Sequence, residues 1–251
     1  MIVIKFGGHA MGSDSAWMNE IAAQFSSGKK FVIVHGGGPQ IDLQLKAEGI
    51  TSEFKGGFRI TTPEVMKVVE AVLTGTVLRS VVRSLIAVGL PAVGIAGSDA
   101  KLLEVALKDD GNLGLVGEVL RVNPEILNNL IAGGFVPVVS PVSNDSNGRA
   151  LNVNADLAAG AIAGALAAEE MLFMTDVPGI YRNWPDKDSL ISEISIDELA
   201  RMQFADGMVP KVAAAINAIR SGAKSVRVID GKSLDAFHQA LSGEGGTWVR
   251  K

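Results

Sequence analysis

The sequence predicts an α/β protein, a three-layer αβα sandwich with a mainly parallel central sheet. Short β-branched runs alternate with helix-period segments along all 251 residues. Glycine or proline stands at many of the junctions between these strand and helix segments, where the chain must turn. Strands that alternate with helices form parallel sheets covered on both faces. We therefore expect one continuous domain, 1–251, in which about 1–150 and about 151–251 form two functional lobes.

The first half of the chain predicts strands and helices in strict alternation. Trp17, Ile21 and Phe25 fall on one face of the first helix. Thr-Pro-Glu at 62–64 supplies an N-cap, a first-turn proline and a first-turn acid for a long helix, which we expect to kink near Gly75. The predicted strands cover 2–5, 31–35 and 92–95, and the predicted helices cover 14–26, 39–49 and 63–89.

The pattern changes between residues 100 and 122. Two apolar runs, 102–107 and 116–122, flank Asp110-Gly111 and predict an antiparallel hairpin. The polar stretch 182–189 follows a strand and is predicted to be a loop, in a position suited to a lid. Further strands are predicted at 136–140, 171–175, 225–229 and 247–249, and further helices from 123 and at 155–169, 196–202, 211–221 and 234–241.

Composition excludes several classes of protein. The chain has no cysteine, which excludes disulfides and thiolate metal sites and fits a cytoplasmic location. It has no apolar run of membrane-spanning length, and its first residues lack the pattern of a signal peptide. Net charge is −4 and only 5% of residues are aromatic, so neither a nucleic-acid partner nor a membrane is expected. The three histidines show no metal-ligand spacing, and no protein metal site is predicted.

Two glycine clusters follow the first two predicted strands. They are Lys5-Phe6-Gly7-Gly8 and His35-Gly36-Gly37-Gly38. Ligands of parallel α/β sheets bind beyond the carboxyl ends of strands, and glycine lets the backbone approach an anion. Such glycines also make ordinary tight turns, but two clusters favour an anionic ligand that spans both. Neither cluster is a Walker A or a G-x-G-x-x-G motif.

Six motifs stand in the order found in the amino acid kinase family, which the chain resembles over nearly its whole length. They are Lys5–Gly8, His35–Gly38, Gly57–Thr61, Asn152–Asp156, Thr175–Ile180 and Asp206-Gly207-Met208 with Lys211. The resemblance implies the αβα fold, with the acceptor held by the N-terminal half and ATP with Mg²⁺ by the C-terminal half. It further implies phosphorylation of the side-chain carboxylate of N-acetyl-L-glutamate, a step of arginine biosynthesis.

The resemblance also implies roles for individual residues. A carboxylate nucleophile is ionised at neutral pH and needs no general base, so catalysis would depend on positive charge around the phosphoryl group. Lys5 and Lys211 would supply that charge, and Asp156 would organise them. Taken alone, each of the three also fits an ordinary residue at a strand end or helix start. The acceptor would be bound by Gly37, Gly38, Arg59 and Asn152, and the nucleotide by Gly7, Gly8, Val177, Pro178, Gly179, Ile180, Tyr181, Arg182, Gln203, Phe204 and Ala205.

Two alternative functions remain open. One is the branch of the family that phosphorylates glutamate or aminoadipate attached to a small carrier protein. The other is a nucleotide-sensing protein without catalysis, although the three charged residues that a degenerate kinase usually loses are present. The first predicted strand begins at residue 2, so the extra N-terminal helix of arginine-inhibited relatives is not expected. We therefore predict a homodimer without strong arginine inhibition.

Overall fold

The computed structural model describes residues 1–7, 16–204 and 207–251, and it confirms the αβα architecture. The strands are β1 (Ile2–Phe6), β2 (Phe31–His35), β3 (Phe54–Lys55), β4 (Phe58–Arg59), β5 (Ala92–Ala96), β6 (Leu103–Leu107), β7 (Val116–Val122), β8 (Val136–Ser140), β9 (Val142–Asn144), β10 (Ala150–Val153), β11 (Glu170–Thr175), β12 (Glu193–Ser195), β13 (Val226–Asp230) and β14 (Thr247–Arg250). The α-helices are α1 (Ala16–Ser26), α2 (Gly38–Ala47), α3 (Pro63–Glu70), α4 (Leu78–Ala87), α5 (Glu125–Ala132), α6 (Ala155–Ala165), α7 (Ile196–Leu199), α8 (Val209–Arg220) and α9 (Leu234–Leu241).

The central sheet has the strand order β12-β14-β13-β11-β1-β2-β8-β5. Six of these strands are parallel, and β14 with β12 runs opposite to them at one edge. Lys5 lies beside Val34 of β2 and Phe173 of β11. The carboxyl ends of β1, β2 and β11 therefore meet at one edge of the sheet.

Each face of the sheet is covered by its own apolar layer. Val3 points to the layer formed with α5, α6 and α8, while Ile2 and Ile4 point to the layer formed with α1, α3, α4 and α9. This alternation follows from the period of two along a strand. β1 is buried along its whole length because both of its faces are covered.

A second sheet, with the order β6-β7-β10-β9, lies outside the central one. The predicted hairpin of β6 and β7 is confirmed as antiparallel. The parallel pairing of β7 with β10 was not predicted, because it joins segments that are far apart in the chain. β3 and β4 form a small hairpin around Gly56 and Gly57, which both have positive φ angles.

Two helices differ from the sequence prediction in instructive ways. The long helix over 63–89 is interrupted by a π-helical segment, Ala71–Val77, which contains the predicted kink position Gly75. The predicted helix over 155–169 ends at Ala165, and β11 begins at Glu170. Gly164 lies inside the last turn, and the residue with a left-handed backbone after the helix is Ala167 (φ 46°), where glycine is the usual residue, so the sequence alone did not mark the boundary. Within the described ranges, every helix is too short or too polar to cross a lipid bilayer.

Candidate active site

Two lysines from opposite ends of the chain meet on one buried carboxylate. The Nζ of Lys5, on β1, lies 2.7 Å from Oδ1 of Asp156. The Nζ of Lys211, in the first turn of α8, lies 2.9 Å from Oδ2 of the same residue. The Asp156 side chain is 7% exposed. Each oxygen of the Asp156 carboxylate therefore contacts one ammonium group.

Close packing of α6 against α8 creates this arrangement. Asn154 caps α6 by accepting hydrogen bonds from the amides of Asp156 and Leu157. One turn further, a Cβ added at Gly160 would lie 2.6 Å from the backbone oxygen of Ala214 on α8. Only glycine permits that approach. The two helices run side by side in the same direction, so both N-termini, which favour anions, face the same end of the molecule.

The charge balance of the cluster favours a bound anion. Burial raises the pKa of the Asp156 carboxyl, but the positive charges of Lys5 and Lys211 outweigh that effect and hold the pKa below its ordinary value. Asp156 therefore stays ionised at neutral pH. Two ammonium groups around one carboxylate leave a net positive charge at the cavity.

The cluster lines a cavity of about 530 Å³ together with the glycine loop after β2. Gly36, Gly37 and Gly38 all belong to its wall. A Cβ at Gly37 would lie 2.6 Å from Cδ2 of Leu73, which belongs to the π-helical segment and also lines the cavity. Glycine at position 37 thus lets the loop pass close to this segment.

Arg59 and Asn152 lie on the wall of the same cavity. Arg59 is only 6% exposed although it is an arginine. Its guanidinium contacts Asp42 and Ser52, while its NH2 group is buried and has no hydrogen-bond acceptor in the described part of the chain. The Asn152 side chain donates a hydrogen bond to Oγ1 of Thr61, 3.1 Å away. A buried guanidinium nitrogen without an acceptor is a ready donor for a ligand carboxylate.

The predicted nucleotide residues divide into two groups. Gly7 and Val177 line the cavity with the lysines. Gly8 and Ala205 lie outside the described residues. Gln203 and Phe204 do not belong to the described lining, and Phe204 instead packs against the core layer under α6 and α8.

Residues 178–182 also do not belong to the described cavity lining. Gly179 packs against Thr247, where a Cβ would overlap Oγ1, and Ile180 donates its amide to that Oγ1 at 2.8 Å. Tyr181 packs edge-on against the Trp184 ring, and Arg182 pairs with Glu198 at 2.9 Å. The contacts with Thr247 hold the segment after β11 against β14, and the Arg182 pair connects it to α7.

Several cavity residues were not predicted as site residues, although two of them, Asp176 and Phe58, fall within the six motifs. Asp176 follows β11 and lines the cavity. Burial raises the pKa of its carboxyl, but hydrogen bonds from its own amide and from Thr175, with the charge of Lys211, lower the pKa overall. Its place after a strand at the ligand edge was a usable signal. Phe58, Leu73 and Val116 carried no such signal, because apolar lining residues look like core residues.

The fold and the site define a family of phosphate-transferring enzymes, and the chain belongs to the amino acid kinase family. The family profile matches residues 1–230. The chain is 46% identical to the acetylglutamate kinase of Rhodococcus jostii (strain RHA1), with 99% of this chain and 85% of that protein covered. It is 45% identical to the acetylglutamate kinase of Mycobacterium sp. (strain KMS), with 92% and 84% covered.

A solved structure agrees with this assignment at the level of the fold. The crystal structure of smu.665 from Streptococcus mutans UA159 superposes with a TM-score of 0.85 at 25% sequence identity. The comparison covers 99% of this chain and 98% of that one. The αβα architecture is therefore that of known proteins over its full extent.

Proposed function

We propose that this chain transfers the γ-phosphate of ATP to the side-chain carboxylate of N-acetyl-L-glutamate, giving N-acetyl-L-glutamyl 5-phosphate for arginine biosynthesis. The observation that carries the proposal is the Lys5–Asp156–Lys211 cluster, which faces a cavity that also holds a buried arginine. The relatives named acetylglutamate kinase support this choice of acceptor over other carboxylates.

The cluster is suited to the electrostatic problem of this reaction. The acceptor carboxylate is already ionised, so the barrier lies in bringing a negative nucleophile to a negative phosphoryl group. Lys5 would stabilise the transferring group from the acceptor side, and Lys211 would stabilise it from the leaving side. Asp156 would fix both ammonium groups, so that little reorganisation is needed during transfer.

The acceptor would be bound by the first half of the chain. Arg59 would bind the α-carboxylate of the acceptor through its NH2 group. The amides of Gly37 and Gly38 and the side chain of Asn152 would complete the site. A 530 Å³ cavity is of the size that small-molecule sites have. We propose that residues 1–150 form this acceptor lobe.

The nucleotide would be bound by residues 151–251. Val177, together with Gly7 from the other lobe, would contact phosphate oxygens, a proposal supported by their position in the cavity lining beside the lysines. We retain Gly8, residues 178–182, Gln203, Phe204 and Ala205 as proposed nucleotide contacts. The base would lie toward the segment after β11, beyond the described cavity lining.

Mg²⁺ would enter with ATP and neutralise phosphate charge. Two carboxylates lie in the described lining, Asp156 and Asp176. Both oxygens of Asp156 are engaged by lysines, so Asp176 is the residue available to hold the ion or its water shell. One carboxylate suits Mg²⁺, which keeps several waters and shares phosphate ligands.

We further propose a cytoplasmic homodimer. β5 is the last strand of the central sheet, and in the described residues its outer edge has no partner strand. Such an edge is a template for pairing with another chain. Ile86 on the adjacent α4 is 54% exposed, which supplies apolar surface beside that edge.

The proposed reaction is tested by trapping the acyl phosphate. The chain is incubated with ATP, Mg²⁺ and hydroxylamine, and hydroxamate is measured over a panel of free and carrier-linked acidic amino acids. We expect ATP-dependent hydroxamate with N-acetyl-L-glutamate. Product with carrier-linked acceptors alone would support the other branch of the family, and no product with any acceptor would support a nucleotide sensor.

The Asp156→Asn variant tests the role of the cluster in the same assay. Loss of the organising charge should lower kcat by about 100-fold, the scale for removing one electrostatic contact to a transition state. The KM values for ATP and acceptor should change much less. Asp188→Asn is the matched control, because Asp188 is exposed in the loop before β12. A normal kcat in Asp156→Asn would contradict the organising role.

A further inference from the structure

The guanidinium of Arg59 contacts other side chains through NH1, and Arg59 also lines the cavity. NH1 lies 2.7 Å from Oδ1 of Asp42 on α2 and donates to Oγ of Ser52 at 3.2 Å. The ring of Phe54 lies 4.5 Å from the guanidinium carbon. NH2 is buried and has no hydrogen-bond acceptor among the residues that the structure describes. Three protein contacts thus hold the guanidinium in place, and NH2 is the nitrogen whose hydrogen-bonding capacity these residues leave unused.

Asp42 differs from the other charged residues near the cavity because it contacts Arg59 without lining the cavity itself. Its side chain is 58% exposed, whereas that of Arg59 is 5% exposed. Asp42 does not belong to the cavity lining, so it does not meet a ligand directly. Its contact with NH1 is made from outside the cavity.

We propose that Asp42 is a positioning residue, which orients Arg59 so that NH2 faces the α-carboxylate of the acceptor. The role rests on the proposed function, because it assumes an acceptor with such a carboxylate. A planar guanidinium forms good hydrogen bonds only when its plane and its direction match the carboxylate. Fixing both before binding removes the cost of ordering a long side chain on binding.

An alternative effect of Asp42 has the opposite sign. Its negative charge could repel the acceptor, in which case its removal would tighten binding. The exposed carboxylate is screened by water and salt, which weakens such repulsion. The contact with NH1 is a direct 2.7 Å pair to a buried guanidinium, so it is screened less than a repulsion acting across the cavity wall. Orientation should therefore dominate, and removal of Asp42 should weaken binding.

The test compares two acceptors that differ in the α-carboxylate. N-acetyl-L-glutamate carries it, and 4-acetamidobutyrate lacks it. In Asp42→Ala the KM for N-acetyl-L-glutamate should rise about tenfold, the loss expected when one charge-assisted contact is weakened. The kcat and the KM for ATP should stay within about twofold of the wild type. The kcat/KM for 4-acetamidobutyrate should be unchanged, since this acceptor has nothing to offer Arg59.

Conservative variants separate positioning from general damage to the fold. Asp42→Asn keeps an oxygen acceptor for NH1 and should lie between wild type and Asp42→Ala. In an Arg59→Lys background, Asp42→Ala should have little further effect, because the two residues act as one unit. Glu48→Gln is the matched control: it removes an exposed carboxylate that follows α2 and contacts Gln44 instead of Arg59.

The outcomes distinguish the role of Asp42 from the proposed function. Equal losses for both acceptors, a loss matching that of Glu48→Gln, or a lower KM in Asp42→Ala would overturn the positioning role while the reaction stands. Calorimetric binding of both compounds gives the same comparison without turnover. If no acceptor is phosphorylated but Asp42→Ala weakens binding of N-acetyl-L-glutamate alone, the proposed reaction fails and the positioning role survives.

Discussion

Lys5 and Lys211 come from distant parts of the chain and share the carboxylate of Asp156. A lysine at a strand end or in the first turn of a helix is ordinarily solvated. The order of the six motifs made these positions candidates. Their contact with Asp156 is a property of the folded chain, because β1, α6 and α8 carry the three side chains to one edge of the sheet.

His35 is a further buried polar residue next to the glycine loop that lines the cavity. It ends β2, is 0% exposed, and its Nδ1 lies 2.9 Å from the backbone oxygen of Gly36. Its Nε2 is buried and has no hydrogen-bond partner within residues 1–7, 16–204 and 207–251. Burial lowers the pKa of His35 from 6.5 to about 4, although the contact with Gly36 opposes this. The ring is therefore neutral in the folded protein at physiological pH.

His35 should make the fold sensitive to acid. The unfolded chain takes up a proton at this residue near pH 6.5, whereas the folded chain does so only near pH 4. Stability from this residue is thus present above pH 6.5 and is lost as the pH falls toward 4. We expect a loss of about 3 kcal/mol in the free energy of unfolding over this window. Urea denaturation at pH 7.5 and pH 4 measures it.

The control for this prediction is the other described histidine. In His35→Gln, the difference in unfolding free energy between the two pH values should shrink by most of that amount. In His238→Gln it should remain close to the wild-type difference, because His238 is 62% exposed. Equal pH dependence in His35→Gln and the wild type would contradict the assignment.

At the scale of elements, the packing of α6 on α8 sets the geometry of the charged cluster. The alanine- and glycine-rich sequence of α6 is typical of a closely packed helix, but it does not identify the partner helix. A side chain at Gly160 would collide with the backbone of α8, and one at Gly164 would collide with Ser221. Small residues at these positions bring the backbones together and fix the distance from Asp156 to Lys211.

Gly160→Ala should therefore lower both stability and turnover. The added methyl group meets backbone atoms, which cannot rotate away, so we expect a loss of about 1–3 kcal/mol in the free energy of unfolding. The kcat should also fall, because α8 must shift and carry Lys211 with it. Denaturation and steady-state kinetics on the same preparation measure the two effects.

The matched control is the same substitution in the π-helical segment. A Cβ at Gly75 meets no atom within 4 Å, and the residue is exposed. Gly75→Ala should be neutral or should stabilise by up to about 1 kcal/mol, because alanine restricts the unfolded chain. If Gly160→Ala were as stable as Gly75→Ala, close packing of α6 on α8 would not constrain the site.

At the scale of the whole molecule, the open edge of the central sheet is the feature that bears on assembly. β5 ends the sheet on one side, while the antiparallel β12 and β14 end it on the other. A homodimer formed through β5 would bury that edge and leave the cavity of each chain open, since no residue of β5 lines it.

Light scattering should give twice the mass of one chain, with or without arginine. Ile86→Asp should shift the mass toward that of a single chain, because a carboxylate on α4 would be buried at the proposed interface. Leu234→Asp, at an exposed leucine on α9, should leave the dimer intact. A hexamer, a monomer, or dissociation by both variants alike would contradict the proposed assembly.

The sequence by itself determined the fold class, the position of the predicted β6–β7 hairpin and the candidate charges of the site. The fold class and the hairpin follow from local properties, namely hydrophobic period, caps and turn residues, whereas the candidate charges follow from the order of the six motifs. Only the tertiary structure decided that β7 pairs with β10, that α6 stops at Ala165, and that Asp42 contacts Arg59 from outside the cavity lining. Each of these depends on contacts between distant segments, whose energies no local pattern contains. The adenine side of the site was the least predictable, because base pockets use backbone contacts that many sequences can provide.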